Sequence, residues 1–282
     1  MVRFRAESKE QRVKIGIQTS RLPGETLDEQ FASAKRLGFD AVEVSIGPDF
    51  DLSERLDDVK RAMSSTDLPV CAICTHSIHD PLQPDPAARA RRFAALAELL
   101  RLADELGAAG VISVPFRRPV TFPELADPDR ELPAFAAEMF HDWMSTLPEG
   151  RSAVFLEPLN RYEATFLRRV EQAVALAKAI AHPRVLALAD LFHMNIEESN
   201  MAAPILAAGK DLGHVHIADN NRLQPGAGCL DFHKPFAALK QIAYGGFVSI
   251  ECSALAGPHA DQGPEVMLGE TVRFLRALWE QA

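Results

Sequence analysis

Four residues in the second half of the chain, Glu157, Asp190, His216 and Glu251, each stand at or near the end of a short apolar run. The runs are AVFL before Glu157, VLALA before Asp190, the stretch LGHVHIAD that holds His216, and GFVSI before Glu251. Apolar runs of this length bounded by turn residues read as buried strands. A carboxylate closing such a strand is costly to bury unless it meets a cation or a partner. One imidazole and three carboxylates suit a divalent cation of the manganese or magnesium type, or cobalt, whereas structural zinc prefers cysteine and histidine. Without a cation the three carboxylates would repel one another and take up protons. Glu157, Asp190, His216 and Glu251 are therefore the candidate metal ligands.

His214 precedes His216 by two residues on the same strand, so both point to one side. His214 lies one pleat deeper, about 7 Å down the strand, and is expected to be a hydrogen-bonded core histidine. Around the four candidates lie polar groups on connecting segments. Glu163 follows Glu157 by six residues, His193 follows Asp190 in DLFHMNIEE, and Arg222 sits in the glycine-containing stretch ADNNRLQPGAG. Taken singly, His193 reads as a solvated loop histidine, Arg222 as a surface cation and the glycines as a plain turn. Their common location, after consecutive strands, is what raises them. His76 and His79 follow the third strand and line the same mouth or pack within their loop.

These residues are positioned by a regular alternation. Strands are expected at 13–18, 41–46, 70–75, 110–116, 153–157, 185–190, 212–219 and 246–252. Helices are expected near 26–37, 52–64, 86–106, 131–146, 167–180, 197–208, 233–243 and 264–280. Strands alternating with helices imply a parallel sheet, and eight such units imply a closed (β/α)8 barrel, here one domain over 1–282 with a polar arm at 1–12. An open doubly wound sheet would call for a G-x-G-x-x-G turn, which the chain lacks. In a barrel the carboxyl ends of the strands line one open face, so the four candidates on strands five to eight become neighbours.

With 282 residues, 47% of them hydrophobic, the chain can bury a sizeable core. A net charge of −9 without long like-charge blocks argues against nucleic acid or an anionic membrane as partner. No apolar run approaches the roughly 18 residues of a spanning helix, and MVRFRAESKEQR has no signal-peptide core. The expected location is the cytoplasm. Of the four cysteines, Cys71 and Cys74 form a C-x-x-C string on the third strand. Three apart on a regular strand, they would face opposite sides and act as small core residues rather than as a metal clip.

The strings EPLNRYE (157–163), DLFHMNIEE (190–198), HVHIADNNRLQPGAG (214–228) and IEC (250–252) resemble the D-tagatose and D-psicose (allulose) 3-epimerase family. That family lies among the xylose-isomerase-like barrels, the sugar phosphate isomerases/epimerases. The resemblance covers about the second half of the chain. It implies that Glu157, Asp190, His216 and Glu251 hold a divalent metal, usually manganese, and that Glu157 and Glu251 are also the catalytic acid–base pair. It implies that Glu163, His193 and Arg222 contact the sugar, and that the protein is a homodimer or homotetramer; His76, by its place after the third strand, is a further candidate contact. The first half departs: the aromatic residues expected near strands one and four are replaced by Gln18 and by Pro115-Phe-Arg-Arg118.

The expected reaction is metal-dependent 3-epimerisation of a free ketose, by proton abstraction and return through an enediolate. Aldose–ketose isomerisation on the same residues, and dehydration of a cyclic keto-polyol, are the alternative chemistries. A related nuclease would need more histidines for its zinc ions, and a pure sugar-binding barrel has no need of paired carboxylates. A phosphorylated substrate finds no clear anion cradle after strand eight, although Arg117 and Arg118 leave anion binding open.

Overall fold

The computed structural model describes residues 12–117 and 120–282. The polar arm lies, apart from Arg12, outside the described residues, as does Arg118. Eight parallel strands close into a barrel in sequence order, β1 through β8. They are β1 Lys14–Gln18, β2 Ala41–Ser45, β3 Val70–Cys74, β4 Gly110–Ser113, β5 Ala153–Leu156, β6 Val185–Asp190, β7 Leu212–Ile217 and β8 Phe247–Ile250. Helices α1 Leu27–Leu37, α2 Leu52–Thr66, α3 Pro86–Leu106, α4 Pro128–Thr146 and α5 Val170–Ile180 follow the first five strands. The remaining ones are α6 Leu191–Glu197, α7 Ala202–Ala208, α8 His233–Gln241 and α9 Pro264–Gln281. The expected (β/α)8 barrel is therefore the fold.

Local chemistry fixes the helix ends that set strand spacing. Thr26 and Glu29 form a capping box at the start of α1, which stops at Gly38 with φ 86°. Asp85 caps α3 ahead of Pro86, and Gly107, with φ 69°, ends it. Inside the barrel, Phe155 fills the floor and stacks on the ring of His214 at 5.4 Å. Only glycine fits beside it: a Cβ at Gly213 would lie 2.5 Å from Phe155 Cε1, and one at Gly110 would lie 2.8 Å from Phe155 Cε2.

Two departures from the expected elements bear on the site. In place of one helix near 197–208 there are two short ones, α6 and α7. Asp190 ends β6 and at once caps α6, its side chain accepting from Phe192 N at 2.7 Å and His193 N at 3.4 Å. Asn200 then restarts the chain as α7, accepting from Ala202 N. The second departure is in β3, whose register against β2 slips by one residue between Val70 and Ile73. That bulge breaks the alternation, and Cys71 and Cys74 both face the barrel interior. Cys71 Sγ lies 3.1 Å from where a Cβ on Gly16 would stand, and Cys74 Sγ lies 3.5 Å from Glu251 Oε1. Both remain buried, as expected, but not on opposite faces. Among the described residues no helix is long and apolar enough to cross a membrane.

Candidate active site

Glu157 and Glu251 each follow the last residue of their strand, and their backbone N–H groups continue the ladder, donating to Ser113 O and Ile217 O at 3.1 Å. Backbone pairing thus fixes where both side chains leave the barrel wall. With Asp190 on β6 and His216 on β7 they converge: one ligand atom from each residue lies within 4.8 Å of the other three. His216 Nδ1 is 3.1 Å from Glu157 Oε1 and 3.3 Å from Glu251 Oε2. Asp190 and Glu157 are buried, His216 is fully so, and Glu251 keeps 18% of its side chain exposed at the open end. Three carboxylates and one imidazole at this spacing are a donor set that fits a hard or borderline divalent cation.

The electrostatics of the cluster are those of crowded buried acids. Burial, aided by the charge of Glu251, raises the Asp190 carboxyl to about 7. The same two causes raise the Glu157 carboxyl above its ordinary value. Burial also pushes Glu251 up, but the charge and hydrogen bond of His216, with Arg222 and Gln18, outweigh it and hold Glu251 low. His216 is opposed by burial, yet Glu43, Glu251 and Glu157 raise it well above 6.5. The two glutamates are thus pushed in opposite directions.

Glu163 and Arg222 meet each other, Arg222 Nη1 donating to Glu163 Oε1 at 2.6 Å. Arg222 adopts φ 58° and lays its guanidinium 4.8 Å over the ring of Phe192, at the start of α6. The loop that carries it is tied by Asp219, which accepts from Gly226 N at 2.9 Å and Leu230 N at 3.0 Å. Gly228 is required there, since a Cβ would fall 2.2 Å from Asp219 Oδ1. The glycines therefore do more than make a plain turn: they bring Arg222 across the mouth.

His193 is not a solvated loop residue but a buried one in α6. Its Nδ1 faces two donors of Asn160, the backbone N at 3.1 Å and Nδ2 at 2.8 Å, so Nδ1 accepts and Nε2 carries the proton. That Nε2 has no hydrogen-bond partner and lies 3.6 Å from Asp190 Oδ2. Asn160 also donates to Glu163 Oε1 at 2.9 Å, so one side chain orients two candidate sugar contacts. His76 is placed differently: it is exposed, and its Nδ1 caps the turn at Ile78 N. His79, half-buried beside it, leaves Nδ1 unpaired. Arg117 is engaged by the buried Asp80, whose carboxyl burial raises to about 6 against the pull of Arg117.

The sequence reading passed over Glu43. It lies on β2 with no exposed surface and accepts from Gln18 Nε2 at 3.0 Å, His214 Nε2 at 2.8 Å and His216 Nε2 at 3.0 Å. Burial pushes its carboxyl up, but the charge of His216 and the hydrogen bonds of both histidines hold it at about 2. Gln18 in turn donates to Glu251 Oε1 at 2.8 Å. The signal in the sequence was a lone glutamate between Val42 and Val44.

Residues 31–278 match the model of the xylose isomerase-like TIM barrels. The chain belongs to that family. A 3-dehydro-D-guloside 4-epimerase of Escherichia coli is 33% identical over 253 residues, 85% of this chain and 92% of that protein. A D-psicose 3-epimerase of Enterocloster bolteae is 38% identical over 124 residues, 44% of this chain and 41% of that protein. The crystal structure of a 3-keto-D-glucoside 4-epimerase from E. coli superposes with a TM-score of 0.78 at 29% identity, covering 93% of this chain and all of that one. With such relatives along its length, the chain is an enzyme of the isomerase class, of the epimerase kind.

Proposed function

We propose that this enzyme inverts a hydroxyl-bearing carbon next to the carbonyl of a non-phosphorylated sugar, through an enediolate. The observation that carries the reading is the pair Glu157 and Glu251, which converge on His216 Nδ1 from strands three apart, at 3.1 and 3.3 Å. Inversion needs one group to take a proton and another to return one on the far side. One of Glu157 and Glu251 is the base for one epimer, and the other returns the proton. For the opposite epimer the roles exchange. A divalent cation held by Glu157, Asp190, His216 and Glu251, with manganese first and magnesium or cobalt as substitutes, would stabilise the negative charge that develops on the sugar oxygens.

The surrounding residues orient the sugar. The unpaired Nε2–H of His193 and the guanidinium of Arg222 offer donors to substrate oxygens, while Glu163 offers an acceptor to a hydroxyl. His76, on the rim, would touch only a substrate that extends across the mouth.

Two substrates fit this chemistry. A free ketose inverted at carbon 3 is the reading that the second-half strings support, as in the psicose epimerase. A second reading, inversion at carbon 4 of a 3-keto-glycoside, is favoured by the 4-epimerase match over 85% of the chain.

The test is proton NMR in deuterium oxide on manganese-loaded protein, offered free ketohexoses, ketopentoses and methyl 3-keto-hexosides. Metal-dependent loss of the carbon-3 signal of a ketose with a new epimer establishes the first reading. Loss at carbon 4 of the glycoside establishes the second. Exchange at carbon 1 with an aldose appearing would replace both by isomerisation, and no exchange with any sugar would overturn the proposal.

A further inference from the structure

We propose that Glu43 is a positioning residue that fixes the tautomer of His216, so that Nδ1 and not Nε2 carries the lone pair toward Glu157, Asp190 and Glu251. The inference deepens the proposed function, since it rests on that cluster holding a cation.

Three N–H donors and no lysine or arginine meet the Glu43 carboxylate among the described contacts: Gln18 Nε2 at 3.0 Å, His214 Nε2 at 2.8 Å and His216 Nε2 at 3.0 Å and 3.2 Å. An ionised carboxylate accepts and never donates, so each nitrogen that faces it must carry its hydrogen. A neutral imidazole has only one N–H. Nδ1 also faces carboxylates, Glu157 at 3.1 Å and Glu251 at 3.3 Å, so both nitrogens hold hydrogens while the imidazole is charged; with the one on Nε2 kept by Glu43, the hydrogen given up is that on Nδ1. Rotation of the ring is blocked as well, because His214 packs edge-on against it at 5.2 Å and is itself pinned by Phe155 on its other side. Glu43 holds its own place through β2, whose Gln18↔Glu43 register sets it opposite the amide that also bonds Glu251. Carboxylate, imidazole and cation would then lie in series, the arrangement in which the outer carboxylate orients the ligand and raises its basicity.

The experiment combines tautomer and metal affinity. Histidine-labelled protein, freed of metal and held at a pH where His216 is neutral, is read by two-bond proton–nitrogen correlation, with His216→Asn to assign the signal. The wild type is expected to show Nε2–H alone. Glu43→Leu, which removes every acceptor, is expected to mix the two tautomers and to weaken manganese binding about 10–100-fold in calorimetry. Glu43→Asp, which keeps the charge on a shorter arm, is expected to restore the single tautomer in part. An Nδ1–H signal in the wild type would overturn the proposal, and that reading does not depend on any variant folding. So would a folded Glu43→Leu protein with wild-type tautomer and manganese affinity. A wild type with Nε2–H that binds neither manganese nor cobalt would sink the metal centre and still support the positioning role.

Discussion

Glu157 and Glu251 stand on strands three apart around the barrel, yet their carboxylates meet at one atom, His216 Nδ1, at 3.1 and 3.3 Å. The meeting is possible because β6 and β7 lie between them and contribute the shorter-reaching Asp190 and the imidazole itself. Replacing either glutamate by glutamine keeps the shape and removes the proton carrier. Glu157→Gln and Glu251→Gln are each expected to lower turnover at least about 10²–10⁴-fold. Sugar NMR measures turnover, and metal analysis on the same samples separates lost proton transfer from a lost cation. A Glu157→Gln protein that retains metal and epimerises normally would remove Glu157 from the catalytic pair.

Metal binding should be linked to pH through His216. Its pKa is raised well above 6.5, so a cation entering at Nδ1 displaces a proton over the neutral range. Apparent manganese affinity is therefore expected to rise at least about tenfold per pH unit below that raised value, and more steeply below about 7, where Asp190 also carries a proton for the cation to displace. The stability sign is opposite for metal-free protein. A histidine raised on folding contributes stability that is complete below about 6.5 and is lost as pH climbs through the folded value. The Tm gap between loaded and chelator-treated protein should widen with pH. A gap that narrows would contradict the linkage.

The ends of strands five to eight were legible because each put a charged or ring nitrogen group where an apolar run stopped. Glu43 was not, for a physical reason. A glutamate flanked by two valines looks the same whether its face meets solvent or the inside of a barrel, and only closure of the eight strands makes it an interior residue. Cys71 and Cys74 were misplaced because a bulge is a property of two strands in register, invisible in one. His193 was read as a loop residue because one side chain, Asp190, both ends β6 and caps α6 with no residue between. The helix thus begins a few residues earlier than a strand–loop–helix spacing allows.

Arg222 and Glu163 are expected to act as a pair on the sugar. Each is more than a quarter exposed toward the mouth while bonded to the other at 2.6 Å, so a hydroxyl can join the pair without dismantling it. Arg222→Ala should lower kcat/KM about 10–100-fold, the worth of a charge-assisted hydrogen bond of about 1.5–3 kcal/mol. Glu163→Ala should lose part of the same free energy, and the double variant should lose less than the sum. Steady-state kinetics on the four proteins of that cycle decide it; strict additivity would mean the two residues serve the substrate independently.

The floor of the barrel should prove intolerant of a single added methyl. A Cβ on Gly213 would stand 2.5 Å from Phe155 Cε1 and 2.8 Å from Leu186 Cβ, and the Phe155 ring is buried. Gly213→Ala is expected to cost about 1–3 kcal/mol, read from the urea midpoint of metal-free protein. The consequence reaches the site, because Phe155 cannot move away from the new methyl without disturbing the ring of His214 stacked on it at 5.4 Å. His214 donates to Glu43 at 2.8 Å, and Glu43 holds His216. The variant should therefore bind manganese more weakly even at temperatures where it is fully folded. A destabilised Gly213→Ala protein with unchanged manganese affinity would show that the floor and the cluster are packed independently.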